Sequence, residues 1–246
     1  MTTGTDLPQR LAAALPDIPR WIETRWMLVS GAGELIGFDE ETMSYVLQDP
    51  ADGLICVTGR PDADAIREAA ERSGDEGNLI CQLEDAEHVA AALPGWRRVE
   101  VELMLQEDSG GMPDAGDEEW EDVDTRFITQ ADLAKVDGLA DQLRRELTLA
   151  LLRSEVAATI VSGNPVSFCY VGAVTETLWD MAIETLEPYR GRGYAGLTAG
   201  HVIRHMYEKR KHPVWAAEVT NTASLQVAKK LGFRAVDRLV VFHRAG

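Results

Sequence analysis

Residues 107–124 read EDSGGMPDAGDEEWEDVD, and no helical or strand-like hydrophobic period runs through them. Glycine, proline and carboxylates dominate the stretch, so it cannot be threaded through a packed core and reads as a linker or long loop. The 246 residues are thereby divided, and each side must bury a core of its own. The expected organisation is an acidic α/β module over residues 1–106, the linker 107–124, and a second domain over 125–246.

Charge divides at nearly the same place. Residues 1–123 hold 8 Arg and no Lys against 28 Asp and Glu, whereas residues 124–246 hold 16 Lys and Arg against 13 Asp and Glu. The net charge of -17 is therefore carried by the first half. Nucleic-acid phosphates would be repelled, and a cationic partner attracted. No apolar run approaches the roughly 20 residues that span a bilayer. Met1–Arg10 is polar and unlike a signal peptide, so the expected compartment is the cytoplasm, without membrane association. Cys56, Cys81 and Cys169 are odd in number, lack a CxxC pair and sit in apolar stretches, which predicts buried thiols.

The first half alternates strand-like and helix-like runs. Leu54–Thr58 and Asn78–Gln82 are apolar enough for buried strands, and Val99 to Leu105 alternates as a third. Asp62 is placed to cap a helix reaching Arg72, and a second helix runs over Asp85–Leu93 to Pro94-Gly95. Trp26–Ser30 is a further strand candidate. Gly31-Ala32-Gly33 lacks the context of a nucleotide loop and reads as a turn.

The second half opens with a strand near Arg126–Thr129. A helical period follows from Gln130 to Val161, interrupted near Asp137-Gly138. Strands are expected over Pro165–Val171, Thr177–Leu186, Val214–Val219 and Leu239–His243. Helices are expected over Gly193–Lys211 and Asn221–Leu231. The order β-α-β-β-α-β-α-β makes this an α/β (α+β) domain.

Chemistry concentrates where Arg190-Gly191-Arg192-Gly193-Tyr194-Ala195 follows a strand and opens a helix. Glycines there let backbone approach a ligand, and first-turn amides with the helix dipole favour phosphate or diphosphate. Arg190 and Arg192 add charge-assisted donors. Downstream, Asn221 and Ser224 open a helix that ends at Leu231-Gly232-Phe233.

These two motifs, ETLEPYRGRGYA and NTASLQVAKKLGF, together with PVWAAEV between them, resemble the GNAT acyltransferase superfamily. Arg190, Gly193 and Ala195 fit that family's (Q/R)xxGx(G/A) signature, and the resemblance covers roughly residues 126–244. It implies a mixed, mostly antiparallel sheet flanked by helices. It implies acetyl-CoA as co-substrate, with the diphosphate on the amides of Arg190, Gly191, Arg192, Gly193, Tyr194 and Ala195. The pantetheine arm is implied along Ile183, Thr185 and Leu186, with Asn221 and Ser224 as further cofactor-binding residues. It further implies an N-acetyltransferase acting on a primary amine; the chain is expected as monomer or homodimer. For the first half it leaves open a degenerate copy of the module or a substrate-recognition domain. One position departs from the family: the Tyr that many members use to protonate the leaving thiolate is replaced by Ala228. A thiol of pKa about 8.5 leaves as thiolate without much help.

The acceptor amine must lose a proton, and a carboxylate on the strand before the signature suits that role. Asp180 and Glu184 share one face, with Glu184 favoured and Glu218 a third option; Trp179, Met181 and Ile183 share the other face. Phe168 and Tyr170 are candidates to wall the acceptor pocket. Without a usable base the same coenzyme site would serve as an acyl-CoA sensor. His201 and His205 lie one turn apart without a third ligand, so no metal is expected.

Overall fold

The computed structural model describes residues 7–74, 77–106, 122–136 and 138–244; of the expected linker, only 122–124 fall within these. The chain forms α1 (Leu7–Ala14), α2 (Ile22–Ser30), β1 (Glu34–Asp39), β2 (Ser44–Gln48), β3 (Ile55–Thr58), α3 (Ala63–Arg72), β4 (Asn78–Gln82), α4 (Ala86–Ala92) and β5 (Arg97–Gln106). It continues with β6 (Val123–Ile128), α5 (Gln130–Leu133), α6 (Asp141–Arg153), β7 (Val156–Val161), β8 (Asn164–Val174), β9 (Leu178–Thr185), α7 (Tyr194–Glu208), β10 (His212–Glu218), α8 (Thr222–Lys230) and β11 (Phe233–His243). Among the described residues no helix is long and apolar enough to cross a membrane.

Two compact units result. One comprises Met1–Met104, Ala216–Thr222 and Ala235–Gly246; the other comprises Leu105–Trp215 and Ala223–Arg234. Residues 216–222 and 235–246, grouped with the second half on sequence, thus count with the first unit.

Within the first unit the strands run β1-β2-β3-β4-β11-β5. β3 and β4 are parallel through Ile55↔Leu79 and Cys56↔Ile80, and β11 pairs antiparallel with β4. Alternation along β2 divides the core. Val46 joins Val57, Ile66 and Val89 beneath α3 and α4, while Tyr45 and Leu47 join Leu11, Met27 and Cys56 beneath α1 and α2. Asp62 caps α3, its carboxylate accepting the Asp64 N–H at 2.8 Å. Asp85 lies 3.8 Å from Arg60 in the preceding turn. Arg20 links to Asp237 at 2.6 Å and draws that carboxyl below its ordinary range, chiefly through the hydrogen bond.

Trp26–Ser30, expected as a strand, is the end of α2. The Arg25 guanidinium donates to the carbonyls of Ala12 and Leu15 there, and Gly31 at φ 74° stops the helix. The hairpin β1–β2 was not anticipated. Its edge strand ELIGFD carries no clear alternation, and Gly37 packs so closely on Ala65 that a side chain would collide at 2.7 Å.

In the second unit the strand order is β10-β9-β8-β7-β6. The helix expected to reach Val161 ends at Arg153, where Ser154 turns extended (φ -154°, ψ -174°), and Val156–Val161 is β7. That strand pairs with β6 and β8 and is buried on both faces. It therefore carries no alternation, and its apolar run looks the same as a buried helix in sequence. α6 covers one face of the sheet, where Leu147 and Ala150 meet Val156, Ala158 and Phe168. α7 covers the other, where His201 and His205 stack edge-on to Phe127 at 4.9 and 4.7 Å. Phe168 is 0% exposed. Phe168→Ala is expected to lower the unfolding free energy by about 3–5 kcal/mol. Chemical denaturation measures this, and a loss under about 1 kcal/mol would show that the site collapses around the missing ring.

Candidate functional site

The site is built where β9 gives way to α7, inside the second unit. β9 is paired with β8 along its length, from Val174↔Trp179 to Ser167↔Thr185. On its other edge the parallel ladder with β10 covers three pairs, Leu178↔His212, Trp179↔Pro213 and Asp180↔Val214. That ladder ends at Asp180, five residues before β9 does. The Met181–Thr185 edge beyond it leads directly to the bend.

The bend is tightly turned. Glu187–Tyr189 forms one 3-10 turn, with Tyr189 N–H donating to Leu186 O at 2.8 Å and Arg190 N–H to Glu187 O at 3.2 Å. Gly191 then adopts φ +75° and Gly193 φ +86°, ψ -9°, values that β-carbon-bearing residues rarely take. Intrahelical bonding in α7 begins with Gly196 and Leu197, both donating to Gly193 O at 2.9 and 3.2 Å. The amides of Gly193, Tyr194 and Ala195 therefore lie ahead of the first bonds, at the positive end of a 15-residue helix. A β-carbon added at Gly191, in the bend, or at Gly196, in the first turn of α7, would meet nothing within 4 Å, so both positions border open space. That geometry fits a phosphate or diphosphate.

The flanking side chains take different parts. Arg190 is exposed and folds back: Nε donates to Thr185 O and Nη2 to Glu184 Oε1, both at 2.9 Å. Arg192 lies over the Tyr189 ring, 5.7 Å from its centroid. The Tyr194 side chain is 6% exposed and belongs to the core, leaving its backbone as the part that can serve a ligand.

Both carboxylates of β9 lie on the α6 face of the sheet, Glu184 across from Phe168. Asp180 sits opposite a β-bulge, where Gly172 and Ala173 of β8 face one residue of β9. Its Oδ1 accepts the Ala173 N–H at 2.6 Å, and a β-carbon at Gly172 would stand 2.6 Å from that oxygen. Tyr170 is on the same face; burial and the carboxylates of Glu146, Asp180 and Glu184 raise its pKa and keep its hydroxyl protonated.

The downstream motif is divided. Ser224 Oγ accepts Trp215 Nε1–H at 2.9 Å, and Ala228 is fully buried in α8. Asn221 counts with the first unit, its N–H donating to Glu218 O at 2.8 Å. Glu218, also in the first unit, meets His243 Nε2 at 3.1 Å and Arg97 at 3.8 Å. His205 bonds Glu155 at 2.6 Å, and no group of three or more metal-ligating side chains is found among the described residues. Cys56, Cys81 and Cys169 are buried free thiols whose pKa values burial raises. Sequence reasoning missed Thr125, Thr159, Ser167 and Thr198, hydroxyl residues of β6, β7, β8 and α7, of which the last three are fully buried. In sequence they are indistinguishable from ordinary strand and helix residues.

Residues 157–242 match the family described as GNAT acetyltransferase. An uncharacterized N-acetyltransferase of Bacillus subtilis, YdfB, is 36% identical over 64 residues, 26% of this chain and 24% of that protein. Among solved structures, a GCN5-related N-acetyltransferase-like protein from Streptococcus suis superposes with a TM-score of 0.74 at 18% identity, covering 98% of each chain. A tandem GNAT protein from the clavulanic acid biosynthesis pathway gives a TM-score of 0.57 at 15% identity, over 98% of this chain and 94% of its own.

Proposed function

We propose that this chain, whose residues 157–242 match the GNAT acetyltransferase family, binds acetyl-CoA at the Arg190–Ala195 bend and acetylates a primary amine by direct attack. The observation that carries the reading is the left-handed break at Gly193, which starts α7 at the end of a strand with its first-turn amides ahead of the first intrahelical bonds.

Bound acetyl-CoA would supply an acyl group on a thiol leaving group. The amides of Gly193, Tyr194 and Ala195 would hold its diphosphate, with Arg190 and Arg192 adding charge. The Met181–Thr185 edge of β9, past the end of its ladder with β10, would offer main-chain groups to the pantetheine arm, including those of Ile183 and Thr185, with Leu186 just beyond. Asn221 and Ser224 are assigned to the arm on family resemblance, and Ser224 would have to share its hydroxyl with Trp215. Glu184 takes the proton from the acceptor amine. Asp180 is the second candidate, but one of its oxygens is already engaged by the Ala173 N–H. The acceptor is a small, cationic amine, in keeping with carboxylates on the α6 face and the acidity of the first half.

Titration calorimetry with coenzyme A, followed by thiol release over an amine panel, tests this. Heat of binding and turnover on at least one amine are expected. Binding and thermal stabilisation without turnover on any amine would favour the acyl-CoA sensor, a reading supported by the buried Ala228 where an acid group would stand. No heat at all would remove the coenzyme assignment.

A further inference from the structure

Four hydroxyl residues stand in register across four neighbouring strands: Thr125 on β6 pairs with Thr159 on β7, Thr159 with Ser167 on β8, and Ser167 with Thr185 on β9. Their neighbours along β7 and β8 are Ala158, Ile160, Val166 and Phe168, so this polar row crosses an otherwise apolar sheet. Thr159 and Ser167 are 0% exposed, as is Thr198 on α7. Buried hydroxyls destabilise unless bonded, and each of these is bonded. Thr125 Oγ1 is 3.0 Å from Thr159 Oγ1, Thr159 Oγ1 is 2.6 Å from Thr198 Oγ1, and Ser167 Oγ is 2.8 Å from Thr185 Oγ1.

The row ends at the bend from two sides. Thr198 Oγ1 donates to Tyr194 O at 2.8 Å, in the first residue of α7. Thr185 O, at the end of β9, accepts Arg190 Nε. Proton counting fixes the direction of the longer arm. A carbonyl only accepts, so the single hydrogen of Thr198 is committed to Tyr194. Thr159 must then donate to Thr198, and Thr125 to Thr159. The chain Thr125→Thr159→Thr198→Tyr194 C=O is one-way, and each bond polarises the next.

We propose that Thr159 and Thr198 are positioning residues for coenzyme binding: they pin the first turn of α7 to β7 and so set the pitch at which its amides meet the diphosphate. This rests on the coenzyme reading above. Neither hydroxyl touches ligand; both act through the Tyr194 carbonyl.

Thr159→Val keeps the shape of the side chain and removes the hydroxyl. Coenzyme A affinity, measured by calorimetry, is expected to fall about tenfold, the equivalent of one buried hydrogen bond. The KM for acetyl-CoA should rise in step while kcat holds. The thioester of N-acetylcysteamine, which lacks the diphosphate, should be used as by wild type. Thr159→Ser and Thr198→Ser retain the relay and should hold wild-type coenzyme affinity. Equal losses with both thioesters would show general disruption and overturn the proposal, as would wild-type affinity in Thr159→Val. If the wild-type chain itself gives no heat with coenzyme A, the coenzyme reading fails first, which is a separate result.

Discussion

Glu184→Gln is expected to cut acetyl-transfer turnover by roughly 10²–10⁴-fold, the usual span for loss of a positioned general base. Coenzyme affinity should hold or tighten slightly. Glu184 Oε1 accepts Arg190 Nη2 at 2.9 Å, and the pair is half exposed, with side-chain exposures of 41% and 61%. Such a pair contributes about 0.2–1 kcal/mol. An amide at position 184 would loosen Arg190 for the diphosphate by no more than that, a few-fold in affinity. Rapid-quench turnover and calorimetry on one preparation separate the two effects. Asp180→Asn decides between the carboxylates. Because Asp180 is bonded to Ala173 N–H across the bulge, its substitution should act on β8–β9 geometry and stability before turnover. Wild-type turnover in both variants would remove the base role from this strand.

Gly193→Val is the second large effect, and it acts on binding. A valine forced to φ +86° incurs about 2 kcal/mol of backbone strain. The turn relieves that strain by rotating, which misdirects the amides of residues 193–195. If the whole penalty falls on the bound state, coenzyme affinity drops roughly thirtyfold. Circular dichroism should show the fold retained. Undiminished coenzyme binding in Gly193→Val would mean that the diphosphate is held elsewhere.

These two residues show what the sequence made legible. Gly193 was readable because glycine before a helix after a strand has few uses, and the left-handed conformation is the use found. The face of Glu184 followed from the two-residue period of a strand. β7 was not readable, because a strand buried on both sides carries no alternation and Val156–Val161 continued the helical pattern of α6. Nor was the hydroxyl row, since Thr159 and Ser167 meet only through pairing register, which depends on the Gly163 turn and on a register shift between Thr159 and Ile160. The separation of residues 235–246 from the second unit is likewise a matter of which strand β11 joins, and β4 supplies partners from Asn78 to Gln82 that no local pattern announces.

The first unit repeats the passage from strand through turn and helix to a parallel strand, in β3, α3 and β4. Its turn is already served from within: Asp62 occupies the amide of Asp64, and Asp85 stands against Arg60. An incoming anion would have to displace a carboxylate and face another. Of two similar bends, one has its helix start capped by its own acid and the other carries no such carboxylate cap, so on the coenzyme reading proposed above each polypeptide should load a single equivalent.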